Sequence, residues 1–222
     1  MVQPRFSVVV PHYDGSVSDE HFLRGMRSLA AQTFQDFEIL LYHDGPLSRA
    51  LPDVTGFGFG ERLRTQVTDE RHDDWGHSLR DRGINDARGD YIVHFNPDNV
   101  LYPNALRVVD EWRQLPIRPG HTPEMTQNPE ILIFAIFMRG MSFSGRGSLY
   151  RNSNWTDTGL LYTGMPAALG LIDCLQVVIK TSLWREIGGW YDKSPESDGR
   201  IYQRLVASRG ARYVPAVLGE HW

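Results

Sequence analysis

The apolar run Tyr91-Ile92-Val93-His94-Phe95 stops abruptly at Asn96-Pro97-Asp98-Asn99, and that junction constrains the chain more than any other stretch. A short run rich in β-branched and aromatic side chains is the pattern of a strand buried on both faces, as in parallel sheets covered by helices. Open sheets of that kind bind ligands beyond the carboxyl ends of their strands, which is where this junction delivers a carboxylate and two amides. Phe6-Ser7-Val8-Val9-Val10-Pro11 and Phe37-Glu38-Ile39-Leu40-Leu41-Tyr42 repeat the pattern, ending in His12-Tyr13-Asp14-Gly15 and His43-Asp44-Gly45-Pro46. Between them Ser18 or Asp19 can cap a helix reaching about Gln32, with Phe22, Met26, Leu29 and Ala30 at helical spacing. The chain therefore opens as β-α-β with polar residues at each strand end.

Further along, Arg64 to Val67 reads as a short strand, Gly76 to Ala87 and Asn104 to Gln114 as helices, and Ile131 to Met138 and Leu175 to Ile179 as strands. Ser182 to Ile187 and Gly199 to Ser208 read as helices, and Arg212-Tyr213-Val214-Pro215 begins a final extended segment closing on Gly219-Glu220-His221-Trp222. Gly56-Phe57-Gly58-Phe59-Gly60 lacks the preceding strand, the spacing and the following helix of a dinucleotide fingerprint, so a surface loop is expected there. Residues 115–130, with four prolines, and 140–162 show no period, and long irregular insertions of this kind are usually functional or mobile.

Composition narrows the classes. With 222 residues and 41% hydrophobic content the chain can bury the core of one domain, and no repeat or compositional break divides it. A net charge of -4 and a pI near 6.0 lack the basic footprint of a nucleic-acid binder. The single cysteine, Cys174, excludes an intramolecular disulfide and a Cys-rich zinc site, fits a reducing compartment, and is expected as a small buried hydrophobe. The N-terminus lacks a signal-peptide pattern, and the longest apolar run, Ile131 to Met138, has eight residues against the ~20 that span a bilayer. A cytoplasmic protein with at most peripheral membrane contact is expected.

Taken in order, these landmarks resemble the family 2 glycosyltransferases, enzymes of the GT-A fold. Ser7-Val8-Val9-Val10-Pro11-His12-Tyr13-Asp14 is similar to the family's first strand and Pro-x-Tyr-Asn turn, with Asp14 for Asn. Leu29, Gln32-Thr33-Phe34 and Phe37-Glu38-Ile39 resemble its helix end and second strand, and His43-Asp44-Gly45-Pro46 stands where the family has Asp-Asp-Gly-Ser. The best match is Arg80-Asp81-Arg82-Gly83-Ile84-Asn85-Asp86-Ala87-Arg88-Gly89-Asp90-Tyr91-Ile92, which places Asn96-Pro97-Asp98 on the Asp-x-Asp metal motif. Gly188-Gly189-Trp190-Tyr191 resembles Gly-Gly-Phe-Asp, Ser197-Asp198 falls on Glu-Asp before Arg204-Leu205, and His221 falls where many GT-A enzymes carry a metal-binding His.

The resemblance implies an α/β GT-A fold with a mostly parallel central sheet flanked by helices, in a single domain 1–222. Its nucleotide-binding part would cover about 1–110 and its acceptor side about 111–222. It implies transfer of a sugar from a nucleotide donor to a hydroxyl acceptor, with Mn²⁺ or Mg²⁺ held by Asp98 and His221. Asp44 would accept from the nucleobase, and uracil, with one ring N–H, suits a carboxylate, so a UDP-sugar is the expected partner. Pro11, Tyr13, Asp14, Arg80 and Asn96 would line the donor site and Trp155 the acceptor site. Asp198 would be the general base of an inverting transfer.

Each assignment has a plainer counterpart. Asp44-Gly45 and Asp98-Asn99 suit ordinary turns, Asp198 can cap a helix, His221 can be a frayed terminus, and Arg80, Arg82 and Arg88 can be a solvated helix face. Trp155, Tyr150 and Tyr162 can stack on a sugar or pack beneath a loop. Asn154-Trp155-Thr156 is a glycosylation sequon only in a secreted protein. His12, His43, His72, His77 and His94 show no paired zinc spacing and are expected as surface or packed residues. Asn96 and Ser197, standing where carboxylates are usual, leave open a non-catalytic nucleotide- or carbohydrate-binding module on the same fold.

Overall fold

The structure, a computed structural model, describes residues 3–115, 130–139 and 159–222. Strand β1 (Phe6–His12) leads into helix α1 (Asp19–Ala30) and strand β2 (Phe37–His43). Ser18 caps α1 by accepting from the His21 amide, and Asp19 and Glu20 place negative charge against its positive end. The two strands run parallel and in register from Phe6 opposite Phe37 to His12 opposite His43. β3 (Leu63–Val67) adds to β2 and β4 (Tyr91–His94) to β1, both parallel, with α2 (His77–Asp86) as the crossover between them.

The second half is mixed. β5 (Val100–Leu101), α3 (Ala105–Gln114), β6 (Ile131–Arg139), β7 (Gly159–Tyr162), β8 (Val177–Lys180), α4 (Thr181–Glu186), α5 (Ser197–Arg209) and β9 (Arg212–His221) follow in that order. The strands lie in the order β3-β2-β1-β4-β8-β6-β9-β5, with β7 on β6. β8 is antiparallel to both β4 and β6, whereas β9 runs parallel to β6 and antiparallel to β5. The expected parallel order therefore holds from β3 to β4 and gives way to alternating directions beyond. Pro215 is accommodated inside β9 because its ladder with β6 shifts register between Phe134 and Ile136, at the kind of irregularity that tolerates a missing donor.

Alternation along the strands builds two cores. Phe6, Val8 and Val10 enter the one beneath α1 and α3, while Val9 points to the other with Leu79, Ile84, Trp184, Trp190 and Tyr202. The glycines of the long motif explain its shape: a Cβ on Gly83 would lie 2.4 Å from a Val9 methyl and one on Gly89 2.6 Å from the β1 backbone, so both let α2 and its exit press against β1. Asp81 completes the brace, its Oδ1 accepting from the Trp190 amide at 2.8 Å. No helix among the described residues is long and apolar enough to cross a membrane.

Candidate active site

The carboxyl ends of β1, β2 and β4 open onto a cavity of about 540 Å³, lined in part by Pro11, Tyr13, Asp44, Arg71, Trp75, Asn96 and Asp98. Asp44 sits there because β2 ends at His43 and its own amide donates back to the His12 carbonyl. Its carboxylate accepts from the amides of His72 (2.9 Å) and Asp73 (3.1 Å), which pins the loop that crosses the cavity. That loop is tightly bent: Asp73 and Trp75 have φ of 52° and 56°, a region non-glycine residues seldom occupy. Gly76, at φ 78°, also leaves no room for a Cβ, which would approach Pro11 to 2.8 Å. Each Asp44 oxygen keeps acceptor capacity toward the cavity. The Arg71 guanidinium lies 3.5 Å from the centre of the Tyr13 ring, forming a flat wall.

Asn96 and Arg80 are joined. Arg80 is buried, not on a solvated face, and donates to the Asn96 Oδ1 at 2.6 Å and to the Trp75 carbonyl at 2.7 Å. The solvated face that stood as the alternative for Arg80 fails because α2 turns this position inward, which sequence spacing does not show. With the Arg80 guanidinium charge 2.6 Å from its Oδ1, Asn96 is poorly placed to ligate a cation. Asp98 is different: its Oδ1 is buried with no hydrogen-bond partner, and burial pushes its carboxyl above the usual range, against the pull of His221.

His221 arrives from the end of β9, which is paired with β6 as far as Met138 and so is not frayed. Its Nδ1 lies 3.3 Å from Asp173 Oδ2. Burial would lower its pKa, but Asp173, Asp98 and Asp198 together raise it to about 9. Asp173 was not foreseen as a site residue. Its signal was local: it precedes a 3₁₀ turn, Cys174–Gln176, that it caps through a reciprocal box with Gln176, where only a strand was expected.

Asp198 lies in the first turn of α5, and burial, then Asp173, raises its pKa to about 6. Ser197, beside it, accepts from Trp190 Nε1 at 2.9 Å and lies 3.1 Å from His77 Nε2, so it belongs to an internal network with His77 stacked on Trp190. Asp14 is the residue the structure sets apart from the cavity lining. Its Oδ2 accepts from the Ser48 amide (3.0 Å) and hydroxyl (2.7 Å), and its Oδ1 lies 3.2 Å from His43 Nε2. Burial would raise its pKa, yet these bonds and His43 hold it at about 2. Trp155 and Tyr150 lie outside the described residues.

Asp98 and His221 suit a divalent ion chemically, because an unpartnered buried carboxylate oxygen and an imidazole match Mn²⁺, which tolerates nitrogen. Two side chains are too few to hold it alone, and a bound diphosphate would have to supply further oxygens.

A mixed sheet with a nucleotide-sized cavity at the ends of its parallel strands and an acidic, histidine-bearing margin defines the GT-A class of fold. Comparison with solved structures agrees. S. aureus TarS residues 1–349 superimpose with a TM-score of 0.67 at 12% identity, covering 98% of this chain and 60% of that one. TarS bound to UDP-GlcNAc gives 0.61 at 17%, covering 97% and 58%. The Pyrobaculum calidifontis mannosyltransferase PcManGT, in complex with GDP-Man and Mn²⁺, gives 0.64 at 13%, covering 99% and 57%. In sequence, the profile of glycosyl transferase family 2 matches residues 7–116. An uncharacterized glycosyltransferase of Rickettsia felis is 24% identical over 103 residues, 46% of this chain and 16% of the relative. The chain thus spans about one sixth of the length of the curated relatives it matches. The chain thus has the GT-A fold, and over residues 7–116 it is similar to glycosyl transferase family 2.

Proposed function

We propose that the chain transfers a sugar from a nucleoside-diphosphate donor, UDP in the first instance, to a hydroxyl acceptor with inversion. The electrostatic cluster of Asp98, Asp173, Asp198 and His221, joined to the Asp44 cavity through Asp98 in its lining, carries this reading. In it, residues 1–222 act as one domain, with the donor part about 1–110 and the acceptor side about 111–222. Asp44 accepts from the base N–H, Tyr13 and Pro11 form the wall beside it, and Arg80 orients Asn96 toward the ribose. Asp98 and His221 hold a divalent ion, Mn²⁺ or Mg²⁺, which when bound neutralises charge on the departing diphosphate. Asp198 takes the acceptor proton as the oxygen attacks the anomeric carbon and the diphosphate leaves. A pKa of about 6 suits a group that must be ionised near neutrality yet basic enough to accept a proton.

Support comes from neighbours that bind UDP-GlcNAc and, with Mn²⁺, GDP-Man. A thermal-shift panel of nucleotide sugars with and without Mn²⁺ tests the reading, followed by donor hydrolysis and its loss in Asp98→Ala. Absence of metal-dependent stabilisation by every nucleotide would sink it. The engagement of Asn96 by Arg80 and of Ser197 by Trp190 favours a second reading, a non-catalytic binding module. Binding of UDP with Mn²⁺ but no transfer or hydrolysis would select it.

A further inference from the structure

We propose that His12, His43 and Asp14 form a second metal site, for a transition ion of the zinc class, built from residues separate from the Asp98 and His221 pair. Its origin is the β1 and β2 register, which sets His12 directly opposite His43 at the carboxyl ends of two parallel strands. The histidines are 31 positions apart in sequence, far from any paired zinc spacing, yet their ring centroids are 5.2 Å apart. One ligand atom from each of the three residues lies within 4.8 Å of the others, the one such group among the described residues.

The surroundings orient the donors as a metal site requires. The Gly45 carbonyl, 2.7 Å from His43 Nδ1, can only accept, so in the neutral ring the proton sits on Nδ1. The Nε2 lone pair is then available to an ion in place of a proton shared with Asp14. Asp14 is fixed through Oδ2 by the amide and hydroxyl of Ser48, leaving Oδ1 turned toward His43 at 3.2 Å. Tetrahedral coordination with bonds of about 2.0–2.1 Å places ligand atoms roughly 3.4 Å apart, so this pair already has the required separation. The third donor stands idle: His12 is 97% buried, and its Nδ1 has no hydrogen-bond partner.

Two imidazoles and one carboxylate favour Zn²⁺, Co²⁺ or Ni²⁺ over Mg²⁺, and the usual order of affinities puts Mn²⁺ below all three. Three protein ligands leave a position for water. Such an ion would tie the turn after β1 to the turn after β2, and His12 and Asp44 both line the cavity. The site would thus stiffen the cavity wall without depending on sugar transfer.

The test uses tag-free, chelator-stripped protein without nucleotide, titrated with Zn²⁺ and, for its visible spectrum, Co²⁺. Expected are one tightly bound Zn²⁺ per chain, a Tm raised by several degrees, and Co²⁺ absorption of a low-coordinate site. Asp14→Asn should weaken Zn²⁺ at least about tenfold, the scale set by loss of a coordinating or orienting group. His12→Phe, which keeps the ring volume, should abolish binding, while Asp98→Asn should retain it. If His12→Phe fails to fold, Asp14→Asn with the Co²⁺ spectrum still decides. No stoichiometric Zn²⁺, or binding lost in Asp98→Asn and kept in Asp14→Asn, overturns the proposal.

Discussion

Half-buried Asp198 and buried Glu38 show how differently two carboxylates behave. Asp198 has few donors, chiefly the Gly199 amide at 2.7 Å, and burial holds its pKa near 6. If it is the base, kcat/KM must fall as pH drops through about 6 and level off above, because only the carboxylate accepts a proton. Asp198→Asn should lower kcat by roughly 10²–10⁴-fold while leaving donor-induced stabilisation in place, measured by a transfer assay beside a thermal shift. Glu38, by contrast, accepts from Ser7, from the Arg88 amide and guanidinium, and from Arg64. Burial opposes ionisation, yet these donors keep its pKa below the usual range. Its stabilisation is therefore present above the unfolded pKa and lost as pH falls toward the folded one. Glu38→Ala should cost about 2–3 kcal/mol in urea unfolding, since it strands several donors while both arginines stay partly solvated. Both residues are visible in the sequence, but only their neighbours separate a poised base from a strut. Arg80 makes the same point, because its place in the sequence allows a solvated face and its packing makes it the partner of Asn96.

At the scale of elements, the placement of Asp98 depends on how closely α1 approaches the turn after β4. A Cβ on Gly25 would come within 2.1 Å of the Pro97 carbonyl and 2.9 Å of that of Asn99. Gly25→Ala should therefore destabilise by about 1–3 kcal/mol and, by displacing the turn, weaken Mn²⁺-dependent nucleotide binding. Ser18→Ala serves as the control at the far end of the same helix: loss of its cap should cost about 1 kcal/mol with nucleotide binding intact. Elements with strong periodicity, such as α1, β1, β2 and β6, follow the sequence expectation to within a residue or two. β5 was missed because two residues carry no period, and it exists only because β9 pairs with it. The start of β8 was read as strand where Asp173 caps a 3₁₀ turn, since an apolar run does not reveal a local side-chain bond.

Across the whole molecule, β9 carries His221 from the far end of the chain to Asp98 and Asp173. The raised pKa of His221, about 9, is a link between fold and site. Its contribution to stability is fully present below the unfolded value near 6.5 and is lost as pH rises through 9. Metal-free protein should thus lose Tm between neutrality and pH 10, and His221→Ala should flatten that slope. Ion binding at Asp98 and His221 should also release a proton, detectable by calorimetry in buffers of different ionisation enthalpy. The α/β class, the β-α-β opening and the polar strand ends follow from the sequence alone, because periodicity and β-branched runs are local properties. Pairing is not local. Parallel register brought His12 to His43, an inward-turned α2 joined Arg80 to Asn96, and the reach of β9 set His221 beside Asp173, because contacts between distant residues form only when the sheet closes.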